Sequence, residues 1–412
     1  MKARIPSPLR LLWVWSLLGM ALFLGPYMFF FAPDASWHDP QGYLLGRDFV
    51  NVWFGAKQAL SDKVSRIFVV HDYLADMRAL LGEHYPRHNF SYPPHILPLI
   101  IIFGIAPYFP SFCLWSIGGM ASFLAAVKAN PFCRIGRPGL VLAALSPAAV
   151  FNLIFGQNGA FTAAFLLGGL YLCEASPVPA GILLGLLTTK PHLGVLVPLV
   201  LLMRRNWKCI FSAGVTMVAL VALSLLQFGV TPWHDYVADT MPYQVEFLNG
   251  PYRIYNPLMP GPWSDAIRLF PGQDWSYILY GLSALAAFIV TILTVKREGM
   301  TARSVLVVAL STLIVLPYAF NYDMVAVAGA LFVYLGTLPE IGIAAYVALG
   351  LLWALPAALI EFKLVPFPIS SVILLSSLIC LHFSRAGEKS GTRSEDSCNH
   401  PSRPADRPAA EG

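Results

Sequence analysis

Long apolar stretches separated by short polar connections run along most of the chain, and this pattern predicts membrane helices. An α-helix rises ~1.5 Å per residue, so about 20 apolar residues cross a ~30 Å hydrocarbon core. We therefore predict an all-α polytopic membrane protein with about 10–12 transmembrane helices. The apolar segments lie at residues 11–31, 95–109, 112–127, 139–156, 159–173, 179–202, 209–229, 275–295, 303–320, 323–338, 341–360 and 367–383.

Two long polar loops and a polar tail interrupt this pattern. The loops cover residues 33–92 and 230–273. The tail, residues 384–412, is rich in Ser, Arg, Glu, Pro and Gly. It lacks the apolar residues from which a core is built, so we expect it to be disordered. Residues 1–383 are accordingly predicted to form a single transmembrane domain.

The distribution of basic residues predicts the orientation of the chain. Short cytoplasmic loops carry an excess of Lys and Arg. Four basic clusters occur here. One precedes the first span, one follows residue 203, one follows residue 295, and one lies in the tail. If all four clusters are cytoplasmic, both termini are cytoplasmic, and the two long loops and the turn at residues 316–323 lie outside. This orientation suits a multi-pass protein of the plasma (inner) membrane.

One basic patch disagrees with this count. Lys128, Arg134 and Arg137 fall in a connection that simple counting of spans places outside. An alternative is that some segments between residues 93 and 203 are half-helices that do not cross. Pro191, which follows Lys190 in the middle of an apolar segment, favours a broken helix there. The sequence leaves both topologies open.

Composition narrows the class of protein further. Charged residues make up only 12% of the 412 residues and hydrophobic residues 57%, with a mean hydropathy of +0.64. An ordinary soluble domain carries far more charge than this. The formal net charge of +5 is spread over loops and tails. We assign it to membrane orientation, and we expect no nucleic-acid binding.

Neither the cysteines nor the histidines predict a metal site. None of the six cysteines lies in a long loop, and no CxxC spacing occurs, which argues against a disulfide framework and against zinc held by thiolates. His84 and His88 have the four-residue spacing of a zinc-binding helix, but Pro86 lies between them and breaks such a helix. We expect no metal and no other cofactor.

The acidic motif Gly46-Arg47-Asp48-Phe49 is the first candidate for chemistry. Asp34, Asp39 and Asp62 are interpreted as ordinary solvated loop acids. Asp48 differs because the apolar spacing of residues 49–60 predicts a helix lying at the membrane interface, which would hold the acid at membrane level. A carboxylate in that position can accept a proton from an attacking hydroxyl, as a general base does.

Lys190 is the second candidate. A lysine inside a long apolar segment costs about 2.5–3.5 kcal/mol to insert, and it marks a functional site unless its side chain reaches the surface. His192 follows two residues later, after Pro191. A lysine and a histidine beside a helix break can bind a phosphate.

Three further polar groups have two interpretations each. Gln157 and Asn158, between Gly156 and Gly159, either cap a helix end or bind sugar hydroxyls. Tyr92 either only precedes two prolines that start the next helix, or lines a sugar site. Asn321 and Asp323 form either a polar turn between two spans or part of a site.

Taken in order, these motifs resemble glycosyltransferase family 87, whose members are membrane mannosyltransferase-like proteins. The resemblance covers roughly residues 10–335 and implies a GT-C-like bundle with both long loops outside the cytoplasm. It rests on the order and spacing of Gly46-Arg47-Asp48-Phe49, Tyr92-Pro93-Pro94, Gly156-Gln157-Asn158, Gly185-Leu186-Leu187-Thr188-Thr189-Lys190-Pro191 and Arg204-Arg205-Asn206-Trp207.

The resemblance implies a hexosyltransferase with Asp48 as the base. Mannose, or another hexose or a pentose, would move with inversion from a polyprenyl-phosphate donor to a lipid or glycan acceptor on the extracytoplasmic face. Lys190, together with His192 or Arg47, would stabilise the charge growing on the leaving phosphate. Better-known members carry a Ser-Pro-Trp-His type of segment in the late loop. Residues 316–323 contain no histidine, so the sugar and the acceptor stay open.

Two other classes of protein compete with this interpretation. A secondary transporter commonly has about twelve spans, but it tends to have repeated halves, and no repeat is seen here. An O-antigen ligase or polymerase also handles lipid-linked glycans and typically has a long late loop, which residues 230–273 provide.

Overall fold

The structure is a computed structural model, and it describes residues 4–6, 8–30, 32–249, 258–364 and 367–383. The predicted disordered tail, residues 384–412, lies outside the described residues.

Helices make up nearly all of the regular structure. The α-helices are α1 Leu12–Phe30, α2 Phe49–Ala59, α3 Val70–Leu81, α4 Leu97–Ile100, α5 Tyr108–Lys128, α6 Arg137–Ala144, α7 Pro147–Ile154, α8 Gly159–Leu172, α9 Pro177–Leu186, α10 Val197–Met203, α11 Trp207–Phe228, α12 Thr231–Asp235, α13 Met241–Asn249, α14 Pro262–Leu269, α15 Asp274–Glu298, α16 Ala302–Val315, α17 Val325–Thr337, α18 Ile343–Leu364 and α19 Ile369–Phe383.

Shorter elements connect these helices. Strands β1 Arg4–Pro6 and β2 Glu340–Gly342 pair in antiparallel fashion, with Ile5 opposite Ile341. One π-helix covers Tyr236–Thr240. The 3-10 helices described are Pro8–Leu11, Val64–Phe68, Pro94–Ile96, Ile101–Gly104, Leu187–Thr189, Pro191–Gly194 and Asn321–Met324.

The predicted class, an all-α polytopic membrane protein, is confirmed. Within the described part of the chain, α5, α11 and α15 are long and apolar enough to cross a membrane. The pair α6–α7, bent by 55°, adds a fourth span if it is counted as one. Eight shorter apolar helices accompany them. The number of membrane crossings stays a prediction.

One end of the bundle gathers the segments predicted to lie outside the cytoplasm. The first loop contacts the second, because the Val70 amide donates to the Asp239 carboxylate at 2.6 Å and the Thr240 hydroxyl donates to the Phe68 carbonyl at 2.7 Å. Tyr318, from the late turn, lines a cavity together with residues of both loops. We call this the cavity end.

The opposite end gathers basic segments. Arg204 pairs with Glu174 at 2.7 Å and lies against Gly299, while Arg303 pairs with Glu298. The β1–β2 ladder holds the N-terminal residues beside the α17–α18 connection. We call this the basic end. The grouping agrees with the predicted common side of these segments, although which side faces the cytoplasm stays a prediction.

The basic patch that contradicted span counting also lies at the basic end. Cys133, beside Arg134, contacts the Val333 carbonyl near the end of α17 and packs against Gly336. Simple counting of spans takes residues 95–109 as a crossing helix, whereas residues 94–104 form three short helical elements in succession. Helix α5 therefore starts at the cavity end, where the Tyr108 hydroxyl donates to the Leu45 carbonyl at 2.8 Å. It ends at the opposite end.

Helices α9 and α10 form a hairpin that enters and leaves from the basic end. Arg204, directly after α10, pairs with Glu174, which precedes α9. Close packing of α9 on α11 holds the hairpin in place. A Cβ on Gly185 would lie 2.5 Å from the Cβ of Thr216, so only glycine permits this approach. The predicted break at Lys190 and Pro191 is the tip of this hairpin.

Helix α2 confirms the helix predicted after Asp48, but it is not a helix lying at a membrane surface. Phe49, Val50, Trp53 and Phe54 are buried, and even Gln58 is enclosed. The residues around it come from the first loop and from residues 94–115. The long loop is thus a folded unit with its own apolar core, and it holds Asp48 firmly.

Candidate functional site

A cavity of about 410 Å³ opens at the cavity end between the two long loops and the hairpin tip. It brings together residues that are far apart in the sequence. The predicted site residues that line it are Arg47, Asp48, Tyr92, Gln157, Lys190, His192 and Asn321. Asn158 and Asp323 do not line the cavity, and both contact Lys190 from behind.

Asp48 stands at the N-cap of α2, yet its side chain does not cap that helix. Its Oδ2 atom instead accepts a hydrogen bond of 2.6 Å from Gln157 Nε2. Its backbone amide donates to the Phe155 carbonyl at 3.1 Å. The carboxylate is 30% exposed, and the exposed part faces the cavity. Asp48 is therefore fixed on one oxygen and accessible on the other.

Two glycines allow the Gly156-Gln157-Asn158-Gly159 turn to pack closely against the Asp48 turn on one side and against residues 321–323 on the other. Gly156 has a φ of +60°, and a Cβ there would lie 2.5 Å from the Gly46 carbonyl. A Cβ on Gly159 would lie 2.1 Å from the Tyr322 carbonyl. Only glycine allows such close approach of backbones. The turn is consequently clamped between the Asp48 turn and residues 321–323.

Lys190 is buried at the hairpin tip, with its side chain 8% exposed. Its Nζ donates to Asp323 Oδ1 at 2.5 Å and to Asn158 Oδ1 at 3.3 Å, and it lies 5.1 Å from the centre of the Tyr322 ring. An unpaired buried ammonium would be very costly, so Asp323 makes its burial possible. Asp323 is itself held by the Phe320 amide, which donates to Oδ2 at 2.9 Å.

Gln157 and Asn158 join the two charged groups. Gln157 donates to the Asp48 carboxylate, and its neighbour Asn158 accepts from the Lys190 ammonium. Asn158 precedes α8 without a side-chain capping bond, so the interpretation of these amides as helix caps is wrong. Their bonds run to the two charges, which fixes the carboxylate and the ammonium relative to each other.

Arg47 lines the cavity, but its guanidinium is held by the protein. Nη1 donates to Asp39 at 2.7 Å and Nη2 donates to Gln41 at 3.0 Å, and the group lies 4.2 Å from the centre of the Tyr43 ring. The interpretation of Asp39 as a solvated loop acid is wrong, since Asp39 is 6% exposed and paired. The pair braces the turn that carries Asp48.

The remaining predicted residues lie around the cavity in different environments. Tyr92 is half-buried, and the loss of water around its hydroxyl raises the pKa of that group. The His192 ring meets the edge of Tyr318 at 5.8 Å, and its buried Nε2 has no hydrogen-bond partner in the described part of the chain. Asn321 is fully buried and donates to the Pro356 carbonyl at 3.3 Å.

Sequence reasoning missed several cavity residues, of which His88 is the most notable. Its Nε2 lies 3.9 Å from Asp48 Oδ1, and its side chain is 7% exposed. Burial lowers its pKa to about 4, although the neighbouring Asp48 acts in the opposite direction. In the sequence, the spacing of His88 from His84 suggests only a zinc motif. The other residues missed include Tyr43, Asn51, Arg87, Asn89, Tyr243 and Gln244.

Nothing in the described residues forms a metal site. No group of three or more His, Cys, Asp or Glu side chains lies close enough there to hold an ion. The expectation that no metal takes part stays a prediction.

Fold and cavity together define a polytopic membrane protein in which a carboxylate and a buried ammonium line one polar cavity. The chain belongs to glycosyltransferase family 87, whose family model matches residues 90–317, more than half of its length. It is therefore a membrane glycosyltransferase. The match includes Lys190 and His192 and excludes Asp48. No curated protein and no solved structure matches the chain.

Proposed function

We propose that this glycosyltransferase moves a sugar from a polyprenyl-phosphate donor to a hydroxyl of a lipid or glycan acceptor, with Asp48 as general base. The observation that carries the proposal is that Asp48 and Lys190 line one cavity and are joined through Gln157 and Asn158. Proton acceptance and leaving-group stabilisation are the two tasks that such a transfer requires.

Asp48 has the accessibility that a base needs. Gln157 occupies Oδ2, whereas Oδ1 has no hydrogen bond among the described residues and faces the cavity. The acceptor oxygen forms a bond to the anomeric carbon, and its proton passes to the carboxylate. The bond from that carbon to the phosphate oxygen breaks on the opposite face, and the electron pair leaves with the phosphate. Such a displacement inverts the anomeric centre.

Lys190 suits the leaving phosphate. An ammonium group has three N–H donors, and Asp323 and Asn158 account for two of them within the described chain. The third is available to a phosphate oxygen at the cavity wall. Asp323 partly neutralises Lys190 in the resting site, and this limits the cost of burying the charge before the donor arrives. His192, whose Nε2 has no hydrogen-bond partner among the described residues, adjoins the same wall.

A second cavity supports a lipid-linked donor. It has a volume of about 330 Å³, lies between α9, α10 and α11, and shares Pro191 with the polar cavity. Its lining is almost entirely apolar, so it suits hydrocarbon better than a nucleotide. The residues around it are Leu184, Leu187, Thr188, Pro191, Gly194, Val197, Pro198, Leu201, Leu202, Ile210, Ala213, Gly214 and Met217. A donor with its phosphate at Lys190 can extend its chain into this slot.

The gathering of both long loops at the cavity end supports a GT-C type of arrangement, with transfer on the extracytoplasmic face. In this arrangement the loops cover the site and limit hydrolysis of the donor by water. Mannose is one candidate sugar among the hexoses and pentoses.

A transfer assay tests the proposal. Membranes containing the wild type, Asp48→Asn or the matched control Asp62→Asn are supplied with radiolabelled polyprenyl-phosphate sugars and a lipid extract as acceptor. We expect Asp48→Asn to lower transfer by about 10²–10⁴-fold. Asp62 is exposed beyond α2, so its variant should transfer as the wild type does. Unchanged transfer in Asp48→Asn would refute the assignment of the base.

A further inference from the structure

His88 lies beside the accessible oxygen of Asp48, and the proposed reaction leaves it without a task. Its ring packs against Tyr43 at a centroid distance of 5.0 Å and against the edge of Tyr85 at 6.0 Å. These contacts leave the ring little freedom to turn. Asp48 and His88 both line the polar cavity, so a ligand in the cavity meets both groups.

The distance between the two groups is informative. His88 Nε2 and Asp48 Oδ1 are 3.9 Å apart, which is too far for a hydrogen bond. An oxygen atom placed about 2.8 Å from each would make two hydrogen bonds at nearly a right angle. The gap therefore has the size of one shared hydroxyl group.

The ring's other nitrogen indicates which atom carries the proton. Nδ1 is buried and has no hydrogen-bond partner within the described residues. A buried N–H without an acceptor is costly, whereas a proton on Nε2 faces the Asp48 carboxylate. Burial lowers the pKa of His88 to about 4, so the ring is neutral near pH 7. The favoured form is a neutral imidazole with Nε2–H directed at the gap.

We propose that His88 is a further catalytic residue, whose Nε2–H donates to the oxygen of the acceptor hydroxyl while that hydroxyl donates its proton to Asp48 Oδ1. The inference deepens the proposed function and rests on it. Asp48 alone leaves the hydroxyl free to rotate about one hydrogen bond. The second contact fixes its oxygen, so that the remaining lone pair faces the donor sugar.

The two substitutions His88→Gln and His88→Phe separate this role from simple packing. Gln keeps an N–H donor near the position of Nε2, and Phe keeps the ring between Tyr43 and Tyr85 but donates nothing. If His88 binds the acceptor, Gln retains more activity than Phe. If His88 only fills space, Phe retains more than Gln.

Steady-state transfer is measured for both variants with the donor and the acceptor varied in turn. The exposed His84→Phe in the same loop serves as the control, and Asp48→Asn and the wild type are measured alongside. We expect His88→Phe to lower kcat/KM for the acceptor by roughly 10-fold to 100-fold, with less than about 2-fold change in KM for the donor. His88→Gln should recover a large part of this loss.

Each outcome decides a specific point. An active wild type with His88→Phe at or above His88→Gln overturns the inference and leaves the proposed function intact. An Asp48→Asn variant as active as the wild type, or a wild type without transfer from any sugar lipid, overturns the proposed function and the inference with it.

Discussion

At the scale of single residues, the cavity depends on charges that hold one another in place. Asp323 neutralises Lys190, and Asn158 and Gln157 connect Lys190 to Asp48. Removing one partner of a buried ion pair leaves the other charge uncompensated, which is far more costly than replacing both. The site is therefore sensitive to single substitutions that do not touch substrate.

The ion pair gives a first prediction. Asp323→Asn should lower the free energy of unfolding by about 3–5 kcal/mol, since Lys190 stays buried without its counter-charge. The double variant Asp323→Asn with Lys190→Met should recover most of this stability and none of the transfer activity. Thermal unfolding of the purified protein in detergent measures the first effect and the sugar-transfer assay the second. Full activity in the double variant would contradict the role of Lys190.

The clamped glycine turn gives a second prediction. Gly156→Ala puts a Cβ at positive φ and against the Gly46 carbonyl, so it should cost at least about 2 kcal/mol of stability and abolish transfer. Gly281→Ala is the matched control: residue 281 is exposed in α15, and a Cβ there would have no atom of the described residues within 4 Å. That control should leave stability unchanged or slightly raised. A fully stable and active Gly156→Ala protein would show that the turn does not need this conformation.

Burial of His88 gives a prediction for pH. Its folded pKa of about 4 lies below the ordinary value of 6.5, so the unfolded chain binds more protons between these limits. The stability that neutral His88 contributes is complete above pH 6.5 and is lost as pH falls towards 4. Between those pH values the wild type should lose more stability than His88→Phe. Melting curves at about pH 7, 5.5 and 4.5 would measure the difference, and parallel losses would contradict it.

A site residue can be predicted from the sequence when its position in an apolar context is energetically costly. Lys190 stands in an apolar segment and Asp48 follows a long span, so both stand out. His88 does not stand out. In the sequence it suggests only a zinc motif with His84, which Pro86 rules out. Its burial depends on Tyr43 and Tyr85, which contact it only in the folded loop. Asp39 is misjudged for the same reason, since only the fold brings it to Arg47.

At the scale of elements, the decisive feature is the hairpin of α9 and α10. The sequence predicts its break from Pro191, because proline disrupts the helical hydrogen bonds before it. Residues 94–104 show the opposite case. Their apolar composition suggests a span, yet they form short turns against α2. The sequence misleads here because hydropathy alone does not distinguish contact with lipid from contact with protein.

The hairpin tip gives a prediction at this scale. The φ and ψ of Lys190, −137° and 69°, are not helical, so the helix breaks at this residue. Pro191→Ala removes the proline that favours this break. We expect transfer to fall about 10-fold or more as the ammonium moves, while the melting temperature changes little. Pro177→Ala, at the basic end of α9, is the control and should leave transfer activity nearly unchanged. Equal activity in both variants would mean that the break does not position Lys190.

At the scale of the whole molecule, contacts sort the polar segments into two ends. The sequence predicts this sorting for the N-terminus, the long loops and the late turn. It leaves the basic patch around Arg134 unresolved, because span counting and the basic residues point to opposite sides. The contact of Cys133 with the Val333 carbonyl places the patch at the basic end.

The two ends give a labelling prediction. In a cysteine-free background, Asp62→Cys should react with a membrane-impermeant maleimide from outside intact cells. Lys128→Cys and Lys208→Cys should react only after permeabilisation, because both lie at the basic end. Labelling of Lys128→Cys in intact cells would contradict this topology, in which residues 94–104 stay at the cavity end and α5 runs from there to the basic end.

The proposed reaction requires that one cavity hold the donor phosphate at Lys190 and the acceptor hydroxyl at Asp48. A cryo-electron microscopy structure of the Asp48→Asn variant with a polyprenyl-phosphate sugar would show whether it does. We predict that a phosphate oxygen lies within hydrogen-bond distance of Lys190 Nζ, that the lipid chain leaves past Pro191, and that the anomeric carbon faces residue 48. A phosphate bound elsewhere, with Lys190 still enclosed by Asp323 and Asn158 alone, would contradict this arrangement of donor and acceptor.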